Sequence, residues 1–340
     1  MPIINPGPIS ANYVRMRHWT EHDYWYTAST DVPKEIIEKV LSDDNTFLLV
    51  CNEYELDSSI LYKLLNLGIP RKKIVLISED ADLTINDYWA CGGEMSMSMQ
   101  SRKFPKFETL EKKEYTKSFL SFNRRWRIHR PFFVALLKAT NMLDKGFVSL
   151  GKSDDYQSWE LVFDDILNLA TDTHLSELLS YHKDEITTLP ELYLDTNDLV
   201  TPKDRVDRPD TDLNKIIELY QNSYFSIVSE TYFFENVGRF LTEKTFKAIG
   251  FKHPFVLLAR PNSLKLLHSM GYKTFHPFID ESYDNEVDPI KRMKLIVDEV
   301  KRLSDMDAEQ IHDFIDRVKE VTEHNFRTLT RKMQYIKKIG

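Results

Sequence analysis

Phe240-Leu241-Thr242-Glu243-Lys244 stands between two apolar runs, Tyr224-Phe225-Ser226-Ile227-Val228 and His253-Pro254-Phe255-Val256-Leu257-Leu258. Runs of that length and composition predict buried strands, and the stretch between them predicts a helix opening at a threonine cap. The segment therefore reads as a βαβ unit of an α/β fold. Glu243, in the first helical turn, suits the positive end of the helix dipole, whereas Lys244 and Lys247 oppose it and call for a compensating anion. Thr242-Glu243-Lys244 is then either a phosphate site at a helix N-terminus or a plain cap beside solvated lysines.

Toward the N-terminus lies a second cationic cluster. Lys117-Ser118-Phe119-Leu120-Ser121-Phe122 predicts a strand, and Asn123-Arg124-Arg125-Trp126-Arg127-Ile128-His129-Arg130 follows it directly. Pro131 suits a first helical position, where its missing N–H has no intrahelical partner, which makes Arg130 the expected cap of a helix reaching about residue 139. A cationic cap adds positive charge to an end that is already positive. The two strand-to-helix junctions thus read together as one divided anion site, with a solvated basic face or a nucleic-acid patch as the competing reading of the arginines.

The chain has 340 residues, enough for about two domains with buried cores, and its 42% hydrophobic and 29% charged content is that of a globular protein. No stretch approaches the roughly 18 consecutive apolar residues of a membrane helix. Met1-Pro2-Ile3-Ile4-Asn5-Pro6-Gly7-Pro8 lacks the basic start and apolar core of a signal peptide, so a soluble, cytoplasmic protein with no membrane partner is expected. Cys51 and Cys91 have neither disulfide-framework nor metal-ligand spacing and the histidines are scattered, so no bound metal is expected. Net charge is −8, but residues 101–138 hold eleven Lys and Arg against three Glu, a local +8 against −16 for the rest. One basic segment in an acidic chain suits a compact anionic ligand better than a long polyanion.

The first half reads as a small α/β domain. A strand at 46–51, a helix at 58–67 ended by Gly68 and Pro70, and a strand at 73–78 make a Rossmann-like βαβ unit without the GxGxxG turn of a dinucleotide site. Residues 92–108 read as a linker, with a domain boundary near 112. In the second half the helix after Pro131 leads to a strand at 146–150, a helix at 159–169, an irregular connector at 193–212 and a helix at 213–221. Beyond the Thr242 helix and its strand come a helix at 262–270 and a short strand at 273–275. From Asp288 the pattern is helical, and Asp307 is a cap candidate for a last helix that either folds back over the first domain or closes the chain as a solvated helix. Strands alternating with helices predict a parallel sheet, whose ligands bind beyond the strand C-termini, where both cationic junctions fall.

Taken together, Tyr224-Phe225-Ser226-Ile227-Val228-Ser229-Glu230, Phe240-Leu241-Thr242-Glu243-Lys244-Thr245-Phe246-Lys247-Ala248 and His253-Pro254-Phe255 resemble the donor-binding core of the α-1,3-fucosyltransferase family. The likeness is closer to fucosyltransferase-like glycosyltransferases encoded by large-tailed phages, and it extends through Gly271-Tyr272-Lys273-Thr274-Phe275 and Asp280-Glu281-Ser282-Tyr283-Asp284. It covers about residues 115–300. The resemblance implies two facing Rossmann-like domains (the GT-B type), with residues 1–112 on the acceptor side, 113–305 binding the nucleotide sugar and 306–340 as a closing helix. It also implies a metal-independent transferase with no cofactor beyond its donor, a GDP-sugar favoured over a UDP-sugar and fucose as the leading sugar, acting in the host cytoplasm if phage-encoded. By position, Arg130 resembles the arginine on the donor pyrophosphate, Glu243 the glutamate on the ribose hydroxyls and Lys244 the lysine on the phosphate. Ser229-Glu230-Thr231 stands where the family carries Phe-Glu-Asn, which places Glu230 among the donor contacts with Thr242.

Transfer of a sugar from a nucleoside diphosphate without a metal needs fixed cations and helix N–H groups around the leaving diphosphate; Lys244 and Arg130, with Arg124 or Arg127, are the candidates. The acceptor hydroxyl needs a carboxylate base on the opposite face of the sugar, which gives inversion. Glu53, just past the first-domain strand, is the candidate, with Glu79 and Asp80 after the next strand as alternatives, and a solvated loop acid is the competing reading of each. Asp280, Glu281 and Asp284 either bind sugar hydroxyls or form a polar turn. The acceptor is a glycan or another hydroxyl compound. Two further readings are a DNA-modifying transferase acting on hydroxymethylated pyrimidines, with Trp126 and Phe104 on the DNA, and a non-catalytic nucleotide- or RNA-binding protein.

Overall fold

The computed structural model describes residues 12–16, 34–42, 44, 46–52, 59–78, 88–91, 115–123, 127–151, 158–190, 192, 194, 213–234 and 241–339. Glu53, Glu79, Asp80, Phe104, Arg124, Arg125, Trp126, the 92–108 linker and all but one residue of the 193–212 connector lie outside them.

The described chain is α/β with two four-stranded sheets, each wholly parallel. The first runs β1 (Asn12–Met16), β2 (Thr46–Asn52), β3 (Ile74–Ser78), β4 (Tyr88–Cys91) in that spatial order, with α1 (Lys34–Ser42) before β2 and α2 (Ser59–Asn66) before β3. The expected βαβ unit is present. Gly68 adopts φ 83°, in the left-handed region that glycine enters without steric cost, and its N–H bonds Leu65 O at 2.9 Å to close α2. Val40, Leu48, Leu64, Ile69 and Ile74 are buried between these helices and strands.

The second sheet comprises β5 (Lys117–Ser121), β6 (Gly146–Val148), β7 (Ser223–Ser229) and β8 (Phe255–Leu258) in the order β6-β5-β7-β8. Along the chain, α3 (His129–Ala139) joins β5 to β6. Helices α4 (Trp159–Leu169), α5 (Thr173–Tyr181), α6 (Lys183–Thr187) and α7 (Leu213–Gln221) lie between β6 and β7. Helix α8 (Glu243–Gly250) joins β7 to β8, and α9 (Ser263–Ser269), α10 (Pro289–Ser304) and α11 (Ala308–Ile339) follow. β7 is buried at all seven positions because helices cover both faces, as an apolar run in a parallel sheet requires. On one side α10 contacts α3, β5 and β8; on the other, α11 lies along α8 and α7 packs on β7. No helix among the described residues is long and apolar enough to cross a membrane.

Two expectations are corrected. The first concerns Arg130, which is the second residue of α3 and not its cap. The helix opens at His129, preceded by Ile128, and Pro131 is tolerated at the third position because every N–H of a first turn lacks an intrahelical acceptor. The second is the strand at 273–275, which does not form. Asn325 of α11 takes both backbone groups of Lys273, at 2.8 and 2.9 Å, and Glu281 accepts the Phe275 N–H at 2.6 Å, so side chains satisfy a backbone that a neighbouring strand would otherwise pair. The final helix contacts α8. It opens on the expected Asp307, in a reciprocal box with Gln310 at 2.9 Å each way, and its bonds run to the second half of the chain: Lys252–Glu323, Lys273–Glu320, and Lys332 to Met270 O.

Candidate functional site

The order β6-β5-β7-β8 places a reversal of chain direction between β5 and β7. From β5 the chain steps outward to β6, then crosses back to β7 and continues to β8. At such a point the connections after the two central strands leave in opposite directions and open a crevice beyond their C-termini, the usual ligand position in open parallel sheets. The described residues next after β5 and β7 on these two sides include Arg127 and Arg130, and Glu230, Thr242 and Lys244. Among the described residues the strands of the first sheet follow in chain order, without a reversal.

On the β7 side, Thr242 caps α8, accepting weakly from Lys244 N–H at 3.4 Å. The Glu230 carboxylate reaches across and accepts from Thr242 N–H at 3.0 Å, from Thr242 Oγ1 at 2.6 Å and from Thr245 Oγ1 at 2.6 Å. Glu230 is 1% exposed, and its carboxylate ties the start of α8 to the end of β7. Its negative charge also favours the ammonium of Lys244. Lys244 Nζ lies 2.9 Å from Glu243 Oε1 and 3.1 Å from Thr242 Oγ1, with both charged side chains about one third exposed (30% and 33%). Burial pushes the Glu243 carboxyl up, but Lys244 and then Lys247 outweigh it and hold it below its ordinary value. Burial likewise pulls Lys244 down, while Glu243 and Glu230 outweigh it and raise the ammonium above its ordinary value. Both groups are therefore ionised at neutral pH. Lys247 lies over the Phe122 ring at 4.8 Å.

On the β5 side, Arg130 is 3% exposed and reaches back to the end of β7. Its Nε–H donates to Ser229 Oγ at 3.2 Å, and Nη2 donates to the carbonyl oxygens of Ser229 and Glu230 at 3.3 and 3.2 Å. A guanidinium surrounded by carbonyl oxygens is stabilised without a ligand, which is why an arginine is tolerated so near a helix N-terminus. His129 is fully buried, with Nε2 3.1 Å from Glu230 O and its ring stacked on Phe233 at 5.7 Å. Burial, Arg130, Arg127 and Arg292 hold its pKa well below the usual value against the opposing Glu230 carbonyl, so the imidazole is neutral and donates from Nε2. Arg292, 2% exposed, closes the far side: it donates to the carbonyls of Ala259, Phe233, Glu286 and Val287 and stacks on Phe233 at 4.3 Å. Burial lowers its pKa to about 10, which leaves it charged.

The fold thus brings Arg127, Arg130, Glu230, Thr242, Glu243 and Lys244 to one sheet edge. Arg124 and the catalytic candidate Glu53 lie outside the described residues, Glu53 one position beyond the end of β2. Asp280, Glu281 and Asp284 each accept from backbone N–H groups near the Ser282–Asn285 turn. Asp280 accepts from Ser282 N–H, Glu281 from Phe275 N–H, and Asp284 from the N–H groups of Leu264 and Lys265 at the start of α9. Sequence reading passed over Ser229, Thr245 and His129. The i, i+3 spacing of Thr242 and Thr245 on one helix face was a usable sign of a carboxylate opposite them, whereas nothing in the local sequence marks which strand end His129 meets.

Among the described residues no cluster of three or more His, Cys, Asp or Glu could hold a metal ion. His18 and His22 have the i, i+4 spacing of a helical pair and fall outside those residues. Comparison of the chain with protein-family models, with curated proteins and with solved structures finds no match in any of the three.

Proposed function

We propose that the chain is a glycosyltransferase that moves a sugar from a nucleoside diphosphate sugar, with a GDP-sugar and a fucose-like sugar favoured, to a hydroxyl acceptor with inversion and without a metal. The supporting observation is the convergence of two helix N-termini, α3 and α8, with Arg127, Arg130, Glu243 and Lys244 beyond β5 and β7, where the sheet reverses direction. Charge develops on the leaving diphosphate as the bond from C1 to oxygen breaks. Fixed cations and helix N-termini stabilise that charge with no reorganisation at the moment of reaction. The proposal extends to a GT-B pair of domains, 1–112 for the acceptor and 113–305 for the donor, with Glu53 after β2 as the base that takes the acceptor proton. A compact group of cations drawn into one crevice favours a nucleotide ligand over a DNA or RNA strand, which needs a longer basic track.

The test is a thermal-shift panel of nucleoside diphosphates and their sugars with a chelator present. A ligand at a hundred times its dissociation constant adds about 2.7 kcal/mol of apparent stability. Selective stabilisation by one diphosphate and by its sugar is the expected result and names the base. A panel with no response, alongside binding of an oligonucleotide, would replace the transferase reading by the nucleic-acid one.

A further inference from the structure

Arg292 of α10 is 2% exposed, and its guanidinium gathers the carbonyl oxygens of three chain segments. Nε–H donates at 3.1 Å to Ala259 O, the residue after β8. Nη1 donates to Glu286 O and Val287 O, ahead of α10, at 2.8 and 3.3 Å, and Nη2 to Phe233 O, beyond β7, at 2.6 Å. Asp284, Glu286 and Asp288 favour the charge from a distance, but among the described residues Arg292 makes no ion pair. A buried charge of this kind is a poor device for stability alone, since an apolar side chain of similar volume often serves a core as well or better. What arginine adds is a rigid fork of donors that fixes the three segments relative to one another. One of those segments, 230–234, runs from the end of β7 beside the crevice, and α3 holds its other side. His129 and Arg130 donate to Glu230 O at 3.1 and 3.2 Å, His129 stacks on Phe233 at 5.7 Å, and Phe132 stacks on Phe234 at 6.3 Å. Phe233 is therefore 1% exposed, with Arg292 over its ring at 4.3 Å, while its neighbour Tyr232 is half-buried beneath the Arg127 guanidinium.

We propose that Arg292 is a positioning residue for donor binding: it clamps residues 230–234 between α3 and α10 and so sets the crevice wall that a nucleoside diphosphate meets, acting through that segment rather than by touching the ligand. This rests on the transferase reading and adds to it a control point in α10, fifty-nine residues from Phe233. A wall displaced by about 1 Å costs up to about a hundredfold in a site whose groups must be held in place.

Calorimetric titration of the full chain with GDP tests it, comparing wild type with Arg292→Lys, Arg292→Gln, Phe233→Leu and Asn325→Ala below the lowest melting midpoint of the set. Lysine keeps the charge and loses the fork, Phe233→Leu keeps Arg292 and removes the ring beneath it, and Asn325→Ala removes buried bonds elsewhere, between α11 and Lys273. The expected result is that both Arg292 variants weaken GDP by about tenfold or more, that Phe233→Leu weakens it in the same direction, and that Asn325→Ala leaves it within about twofold. Amide exchange at 231–234 is expected to quicken in Arg292→Lys. GDP affinity within about twofold of wild type in both Arg292 variants overturns the proposal, whatever their melting midpoints, and leaves Arg292 as a structural residue. A loss in Arg292→Gln but not in Arg292→Lys also overturns it, because the charge and not the fork would then act on the anion. Where neither Arg292 variant folds, Phe233→Leu decides, and unchanged GDP affinity there overturns the proposal. The wild-type titration bears on the transferase reading separately: if wild type binds no GDP, a GDP-sugar donor and this proposal fall together.

Discussion

Glu230 accepts three hydrogen bonds, two of them from hydroxyls at 2.6 Å, and all three come from the first turn of α8 and its cap. Glu230→Gln keeps the shape but replaces an acceptor oxygen by an N–H₂ that faces donors. It is expected to cost about 1–3 kcal/mol, read as a lower urea midpoint with unchanged slope. His253 is a second buried polar residue with a measurable consequence. Its Nε2–H donates to Ser223 O at 2.8 Å, its Nδ1 accepts from Ser226 Oγ at 2.7 Å, and burial lowers its pKa from 6.5 to about 4. Between those values the unfolded chain binds the proton and the folded chain does not. Its contribution is therefore complete above about pH 6.5 and is lost as pH falls toward 4, at up to about 1.4 kcal/mol per pH unit. His253→Gln is expected to flatten the fall in stability over that window, and a slope identical to wild type would show that the imidazole is not buried as a neutral ring. Gly146 meets a different limit. A Cβ there would sit 2.0 Å from the buried Phe119 ring, so Gly146→Ala is expected to destabilise by about 1–3 kcal/mol through overpacking, and Phe119→Leu in the same chain to restore part of it.

At the scale of elements, strands and helices follow from local pattern wherever the pattern is long. α4 and α7 span the stretches that apolar periodicity predicts, and β7 and β8 coincide with the two apolar runs around Thr242 to within about two residues. The start of α3 and the segment 273–275 differ because their backbone groups are satisfied by distant side chains or by an earlier turn, which local sequence does not display. Asn325 gives that statement a test. It is 1% exposed and holds both the N–H and the C=O of Lys273. Asn325→Ala leaves two backbone groups without partners and is expected to lower stability by about 1–3 kcal/mol, with faster amide exchange at Lys273 than in wild type.

For the whole molecule, the parallel sheets follow from alternation of strand and helix, but the order β6-β5-β7-β8 does not. A chain continuing outward from β6 would have the same local pattern and no reversal between β5 and β7. Within the proposed transferase, Glu53→Gln is expected to leave donor stabilisation in the thermal-shift panel intact and to slow sugar transfer about a hundredfold or more, as loss of a general base does. An unchanged transfer rate would assign the base to another carboxylate. What the sequence determined by itself is the α/β class, the βαβ units, the threonine and aspartate caps and the presence of two cationic strand-to-helix junctions, because each depends on residues within a few positions of one another. Only the tertiary structure decided which of those cations already have partners. Glu230 reaches α8 across twelve residues and Arg130 reaches the end of β7 across ninety-nine, so these pairings could be identified only once strands β5 and β7 lay side by side.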